Sequence, residues 1–340
     1  MGIQIVGGPA PKTLAVQFKY LGDVVFITPA LRALKEHRPA GELHVLLAAE
    51  IAPALAHLPW ITKVWSLPRT RGRARLRDSW PVIRALRRER FDRSVDFGGN
   101  DRGAILSFLS GARTRLGVMD RPHLIQKFCY TQTVAAGTLP LPWSQRHLHL
   151  LSAWQIPPPR SAALEIAADP ALADQAAQLL PDDRVICHLG TSQPRKEWPV
   201  ARWREFYRLA RTAGVPLAFS TGTNARERAL LTELQTLEPD LFALAPTGGL
   251  KLFLAVLRRA RAVVAGDTGP LHFAAGLGVP VVGLFGTEDS FQRAAPMYAA
   301  NQIVKSGGIL PAEADPDRSC LADIRPEQVL AALKEVLAGR

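Results

Sequence analysis

The chain has only three cysteines, Cys129, Cys187 and Cys320, and they are widely spaced with no C-x-x-C pair. That spacing suggests neither a disulfide framework nor a zinc site, and each thiol reads as a small buried apolar residue. No apolar run reaches the roughly 18 residues that a membrane-spanning helix needs. Residues 1–9 carry neither the basic region nor the apolar core of a secretory signal, so a cytoplasmic protein is expected. The P-loop and the G-x-G-x-x-G dinucleotide fingerprint are missing, as are any internal repeat of fixed short period and any low-complexity stretch. What remains is 340 residues, 47% hydrophobic and 21% charged, a length that suits two α/β domains better than one core.

Acidic residues are scarce in one half only. Residues 1–160 hold 23 Lys/Arg against 10 Asp/Glu, a balance of +13, whereas residues 161–340 hold 19 against 20. Residues 69–93 alone contain ten arginines and three acids. A field of this kind draws in an anionic partner: nucleic acid, an acidic membrane surface or a phosphorylated substrate. A solvated, arginine-rich helix face is the plain alternative.

Short apolar runs alternate with amphipathic stretches, the pattern of βα units around a mostly parallel sheet. Strands are expected at 14–18, 43–48, 64–67 and 93–97, with a helix over 24–37. Gln155–Arg160, with three consecutive prolines, is the expected linker. Beyond it strands are expected at 184–189, 216–220, 262–265 and 280–285, and helices at 201–213, 250–259, 271–277 and 326–337. Two similar halves, 1–157 and 158–340, predict a cleft between them where a ligand binds. The last helix, 326–337, is a candidate to pack back on the first half.

Four loops carry polar residues suited to chemistry. Lys19-Tyr20-Leu21-Gly22-Asp23 follows the first strand; Gly22 permits close backbone approach, and Asp23 is either a helix cap or a catalytic carboxylate. Gly266-Asp267-Thr268-Gly269-Pro270-Leu271-His272 passes from a strand into a helix, offering backbone N–H groups to an anion. His188–Pro199 places Thr191 and Ser192, then Arg195 and Lys196, then Trp198 in one loop that could neutralise a diphosphate. Asp96–Ala104 is glycine-rich and is followed by Arg113, Arg115, Arg121 and Lys127, a polar cleft edge. Each of these loops is also compatible with an ordinary βα connection.

Taken together, the segments resemble glycosyltransferase family nine, the ADP-heptose:lipopolysaccharide heptosyltransferases. Gly22-Asp23-Val24 with Thr28-Pro29-Ala30-Leu31 is similar to the family's "G-D…T-P-A-L" signature. Asp267–His272 with Ala274, Ala275 and Leu284-Phe285-Gly286 is similar to its "D-T-G-x-x-H-x-A-A" signature. Lys196-Glu197-Trp198-Pro199 matches its "K-x-W-P" loop, and 96–104 with 110–113 resembles the heptosyltransferase III branch. The resemblance implies a GT-B fold, two Rossmann-like domains facing each other across a central cleft, with the acceptor on the first and the nucleotide sugar on the second. It also implies an inverting, metal-independent reaction with no cofactor beyond the donor, ADP-heptose. Asp23 would be the general base. Lys196, Thr191, Ser192 and the free N–H groups of the turn Thr268-Gly269-Pro270-Leu271 would meet the diphosphate. Asp267 would hold sugar hydroxyls, with His272 nearby. Glu227 would take the ribose, and Thr247 and Gly248 the adenine. Gly22, Arg102, Arg121 and Lys127 would bind the acceptor, a phosphorylated lipopolysaccharide inner core. Peripheral contact of the basic half with the anionic inner leaflet is a further expectation.

Three other readings stand beside this one. A family-nine enzyme could use another nucleotide sugar, or an O-antigen, capsule or protein acceptor. A nucleic-acid-binding protein would use residues 69–93 and show a steep salt dependence, although no nucleic-acid motif accompanies them and no nucleic-acid partner is expected. An inactive membrane-docking module would leave the loops at 19–23, 191–199 and 266–272 without purpose.

Overall fold

Leu14, Ala15 and Val16 are fully excluded from water, as are Val45, Leu46 and Leu47, and continuous apolar runs of this kind belong to parallel strands covered on both faces. The structure, a computed structural model, describes residues 10–18, 22–68, 76–121, 123–135, 139–286, 288–295, 301–307 and 319–339. Lys19, Tyr20, Leu21 and residues 69–75 of the arginine-rich stretch lie outside these. The chain divides into two units, residues 1–139 with 143–162, and residues 140–142 with 163–340. The division falls a few residues beyond Gln155–Arg160, whose prolines sit in no helix or strand.

The first unit is a six-stranded parallel sheet. β1 (Lys12–Gln17), β2 (Glu42–Ala48) and β3 (Lys63–Leu67) lie to one side, and β4 (Arg93–Asp96), β5 (Thr114–Val118) and β6 (Gln132–Val134) to the other. The order β3-β2-β1-β4-β5-β6 is that of the Rossmann dinucleotide fold, with its reversal between β1 and β4. The helix expected over 24–37 is two helices, α1 (Asp23–Phe26) and α2 (Thr28–His37). Pro29 has no N–H to donate to the Val25 carbonyl, and the Thr28 hydroxyl takes that bond instead at 2.7 Å. α3 (Leu76–Glu89), α4 (Asp101–Leu109), α5 (Leu124–Cys129) and α6 (Trp143–Leu150) complete the unit.

The second unit repeats the plan. It comprises α7 (Ala173–Leu179), β7 (Val185–His188), α8 (Val200–Thr212), β8 (Leu217–Ser220), α9 (Ala225–Leu237), α10 (Leu250–Arg259) and β9 (Ala262–Gly266). α11 (Gly269–Gly276), β10 (Val281–Phe285), α12 (Glu288–Ala294), β11 (Asn301–Lys305) and α13 (Pro326–Ala338) follow. The parallel order is β11-β10-β9-β7-β8, and a single bridge from Phe219 to Ala243 stands where a sixth strand would pair with β8. The topology therefore matches the first unit, with the reversal between β7 and β9. Trp198, Trp203, Phe206, Tyr207 and Phe219 pack edge-on and tilted in one aromatic cluster beneath α8. Truncating fully buried Trp203 to alanine would cost about 3–5 kcal/mol. α13 packs on its own unit. Val329, Leu333 and Val336, on one helical face, belong to the same core as Trp203, so the helix's apolar stripe is committed to α8 and β9–β11.

Candidate active site

In an open parallel sheet the loops leaving the two strands at the reversal splay apart and form a crevice. β7 and β9 are those strands in the second unit, and they pair from Val185–Ala262 through His188–Ala265. The loops that follow them are therefore brought together: Leu189–Pro199 after β7, and Asp267-Thr268 after β9. Lys196 Nζ donates to Asp267 Oδ2 at 2.6 Å, and His272 Nε2 lies 3.4 Å from Asp267 Oδ1. Burial pushes the Asp267 carboxyl upward, but the His272 imidazole and the Lys196 ammonium outweigh it and hold the group well below the ordinary carboxylate range. Asp267 is thus not a helix cap: Thr268 is the N-cap of α11, and Pro270 stands in its first turn. Pro270 has no N–H, and the Leu271 N–H donates to the Thr268 carbonyl at 3.2 Å. The turn accordingly offers the N–H groups of Thr268 and Gly269 to an anion, while that of Leu271 is taken within the turn.

The loop carrying Lys196 is braced from two directions that the sequence did not reveal. Arg226, in the first turn of α9, donates to the Thr191 carbonyl at 2.7 Å and to the Glu197 carboxylate. Glu197 is buried, and burial holds its carboxyl above the usual range in spite of Arg226 and the Thr191 N–H. On the other side, the Cys320 N–H donates to the Arg195 carbonyl at 2.8 Å, Ser319 Oγ to the Glu197 carbonyl, and Trp198 Nε1 to the Ile324 carbonyl at 3.1 Å. Thr191 is buried and its hydroxyl donates within the loop to the Gln193 carbonyl at 2.6 Å, whereas Ser192 is exposed. The signals for the brace were a buried acid between Lys196 and Trp198 and an arginine beside Glu227.

Glu227 turns back over the ends of β7 and β8. Its carboxylate accepts from the Gly222 N–H at 2.8 Å and from the Asn224 side chain, while Asn224 caps α9 by accepting from the Glu227 N–H. A Cβ on Gly190 would meet Glu227 Oε2 at 2.2 Å, so only glycine lets the carboxylate sit there. Gly248, at φ +69°, precedes α10, and nothing lies within 4 Å of a Cβ built on it or on Gly249. Thr247 Oγ1 donates to the Gly249 carbonyl at 3.2 Å. Beneath these loops, buried His188 meets Ser220 Oγ at 2.9 Å, and burial lowers its imidazole to about 4.

In the first unit, the reversal brings the ends of β1 and β4 together through Val16–Asp96 pairing. Gly22 is the N-cap of α1 and Asp23 its first residue, so Asp23 opens the helix that follows β1 without serving as its cap. Asp96 is fully buried; it accepts from the Gly98 N–H at 2.8 Å and from Tyr130 Oη at 2.6 Å. Burial and the Asp96 carboxylate push the Tyr130 hydroxyl far above its ordinary value. A Cβ on Gly103 would come 2.3 Å from Asp96 Oδ2, and this packing seats the start of α4. Arg102, one residue earlier, lies with its guanidinium 4.7 Å from the Phe18 ring and donates to the Pro68 carbonyl at 2.8 Å. Arg121 and Lys127 are exposed and stand beyond β5, two strands and about 10 Å across the sheet from β1. Among the described residues one group could hold a metal ion, Glu42, His44 and Glu89, near the opposite end of the strands from these loops. Lys12 Nζ lies 2.8 Å from Glu89 and 3.1 Å from Glu42, and Lys63 Nζ lies 3.7 Å from Glu89, so two ammonium groups already face the two carboxylates.

Two Rossmann-like units of matching strand order make up the GT-B fold, in which ligands bind at the reversal points of the sheets. Residues 79–323 match the family described as glycosyltransferase family 9 (heptosyltransferase), and the chain belongs to that family. It is 29% identical over 315 residues to lipopolysaccharide heptosyltransferase 1 of Pseudomonas aeruginosa, covering 86% of this chain and 82% of that protein. Among solved structures, the family 9 glycosyl transferase of Veillonella parvula DSM 2008 superposes with a TM-score of 0.85 at 18% identity, covering 97% of this chain and 98% of that one. Escherichia coli heptosyltransferase WaaC with ADP-2-deoxy-2-fluoro heptose superposes with a TM-score of 0.70 at 18% identity, covering 95% and 99%. No helix among the described residues is long and apolar enough to cross a membrane.

Proposed function

We propose that the protein transfers a heptose from ADP-L-glycero-D-manno-heptose to the phosphorylated inner core of lipopolysaccharide, with inversion at the anomeric carbon and without a metal ion. The observation that carries this reading is the joining of Lys196, Asp267 and the first turn of α11 at one reversal point. A diphosphate leaving there meets an ammonium and two backbone N–H groups, which is charge stabilisation of the kind a divalent cation otherwise supplies. Asp267, kept ionised by its partners, accepts from sugar hydroxyls, and Lys196 exchanges it for the departing phosphate. Glu227, facing Gly190 and Gly222, takes the ribose, and the open space at Gly248 takes the base. Asp23 removes the proton from the acceptor hydroxyl as its oxygen attacks the anomeric carbon from the face opposite ADP. The proton ends on the Asp23 carboxylate, and the electron pair of the broken bond ends on the diphosphate. The basic first unit receives the anionic acceptor and touches the anionic inner leaflet.

The test is ADP release from ADP-heptose with a truncated lipooligosaccharide acceptor and EDTA present, comparing the wild type with Asp23→Asn. Turnover should be acceptor-dependent, and the variant should lose about 10²–10⁴ in kcat while still binding donor. Full activity in the variant removes Asp23 as base, turnover that EDTA abolishes removes the metal-free mechanism, and a folded protein that binds no ADP-heptose removes the donor.

A further inference from the structure

Helix α5 turns its apolar residues outward. Gln126 and Cys129 are buried, whereas Leu124 is 86% exposed, Phe128 72% and Ile125 41%. Leu124 and Ile125 stand one turn before Phe128 on the same helix, and the Phe128 ring lies 5.1 Å from that of Phe108 at the end of α4. The four side chains form one apolar edge that no described part of the chain covers. Surface residues of this size occurring singly need no explanation, but a contiguous group marks a contact surface.

The charges around that edge specify its partner. Residues 108–128 contain Arg113, Arg115, Arg121 and Lys127 against one acid, Asp120. Arg115 lies with its guanidinium 5.5 Å from the Phe108 ring. Arg87 of α3 donates to the Leu109 carbonyl at 3.3 Å, which sets the arginine-rich helix, with exposed Arg84 and Arg88, beside the same edge. Asp101, the other nearby acid, is engaged by His123 at 3.2 Å and by the Gln126 side chain at 3.2 Å. An apolar strip bordered by cations complements a surface that is apolar below and anionic above.

We infer that the α4–α5 edge is a lipid-docking site: Leu124, Ile125 and Phe128 enter the boundary between headgroups and acyl chains of an anionic bilayer, while Arg121, Lys127 and the α3 arginines lie on its phosphates. This deepens the reading of peripheral membrane contact and rests on it, adding an inserting element to the electrostatic one. Each cation brought to such a surface raises partitioning about fivefold and is screened by salt. The apolar contribution persists in salt.

The test is sedimentation of the full chain with vesicles of phosphatidylethanolamine and phosphatidylglycerol, against phosphatidylcholine alone, at about 0.05 and about 0.5 M salt. The wild type should bind the anionic vesicles and retain part of that binding at the higher salt. Leu124→Ser/Phe128→Ser should lower partitioning at least about tenfold with an unchanged thermal midpoint, and Phe128→Trp should bind at least as well as the wild type. Anionic binding that the double variant leaves unchanged overturns the docking site while peripheral contact through the arginines stands. A wild type that binds neither vesicle overturns both. Self-association lost in the double variant, with no vesicle binding, makes the edge an interface between copies of the chain and also overturns the inference.

Discussion

Replacing Lys196 with methionine keeps the side chain's apolar stem and removes its ammonium. The Lys196 and Asp267 side chains are 23% and 15% exposed, so the pair is largely but not wholly withdrawn from water. Removing one partner of a fully buried pair costs about 3–5 kcal/mol. Here His272 remains 3.4 Å from the other carboxylate oxygen, and partial exposure softens the penalty, so about 2 kcal/mol is expected. For a unit of this size that lowers the thermal midpoint by about 4–8 °C. The pH dependence follows from the direction of the Asp267 shift. A carboxyl held below its ordinary value contributes stability above about pH 4, and that stability is lost as pH falls through the lower, folded-state value. The difference between wild type and Lys196→Met should therefore be full at pH 7 and shrink in strong acid. Circular dichroism melts at the two ends of that range, with ADP titration calorimetry at pH 7, measure both roles, and turnover should fall about 10²–10³. A double-mutant cycle with Asp267→Asn should give a coupling of about 1–2 kcal/mol. Identical melts and identical ADP affinity in the variant would falsify the assignment of Lys196 to both carboxylate and diphosphate.

Two further outcomes concern groups beneath the crevices. Tyr130→Phe keeps the ring over Gly117 but takes the 2.6 Å donor from buried Asp96, which should cost about 1–3 kcal/mol in urea unfolding; an unchanged midpoint would show that the bond adds no net stability. His188, lowered by burial to about 4, stays neutral in the folded state while the unfolded chain takes up a proton below about pH 6.5. Stability is lost as pH falls from that value toward 4, by about 2 kcal/mol at pH 5, and His188→Gln should flatten the profile by that amount. A variant with the wild-type slope would place the acid sensitivity elsewhere.

The strands that line the candidate site were legible because parallel, doubly covered strands read as continuous apolar runs: 14–18, 184–189, 262–265 and 280–285 all overlap β1, β7, β9 and β10. Strand β6, three residues long, lacked such a run, because its exposed and half-buried edge position asks for none. The break between α1 and α2 was hidden by an apolar pattern that continues through Ile27, although Pro29 carried the signal. Lys196, Asp267 and His272 lie 71 and five residues apart in sequence yet share one charged cluster, a grouping that the order of β7 and β9 explains. Arg226 and Glu197 were missed for a related reason. A buried ion pair that clamps a loop looks, residue by residue, like ordinary surface charge.

The loop holding Lys196 is clamped by contacts that reach far along the chain, and the bond from Trp198 to the Ile324 carbonyl spans 126 residues. At a ribosome adding about 5–20 residues each second, the loop waits roughly 6–25 s after its own synthesis before that partner is made. Throughout this interval Arg226, only 35 residues from Thr191, is the nearer of the two clamps available. A nascent chain can therefore shape one side of its nucleotide crevice early, but it acquires the finished loop only when nearly all of the second unit has emerged.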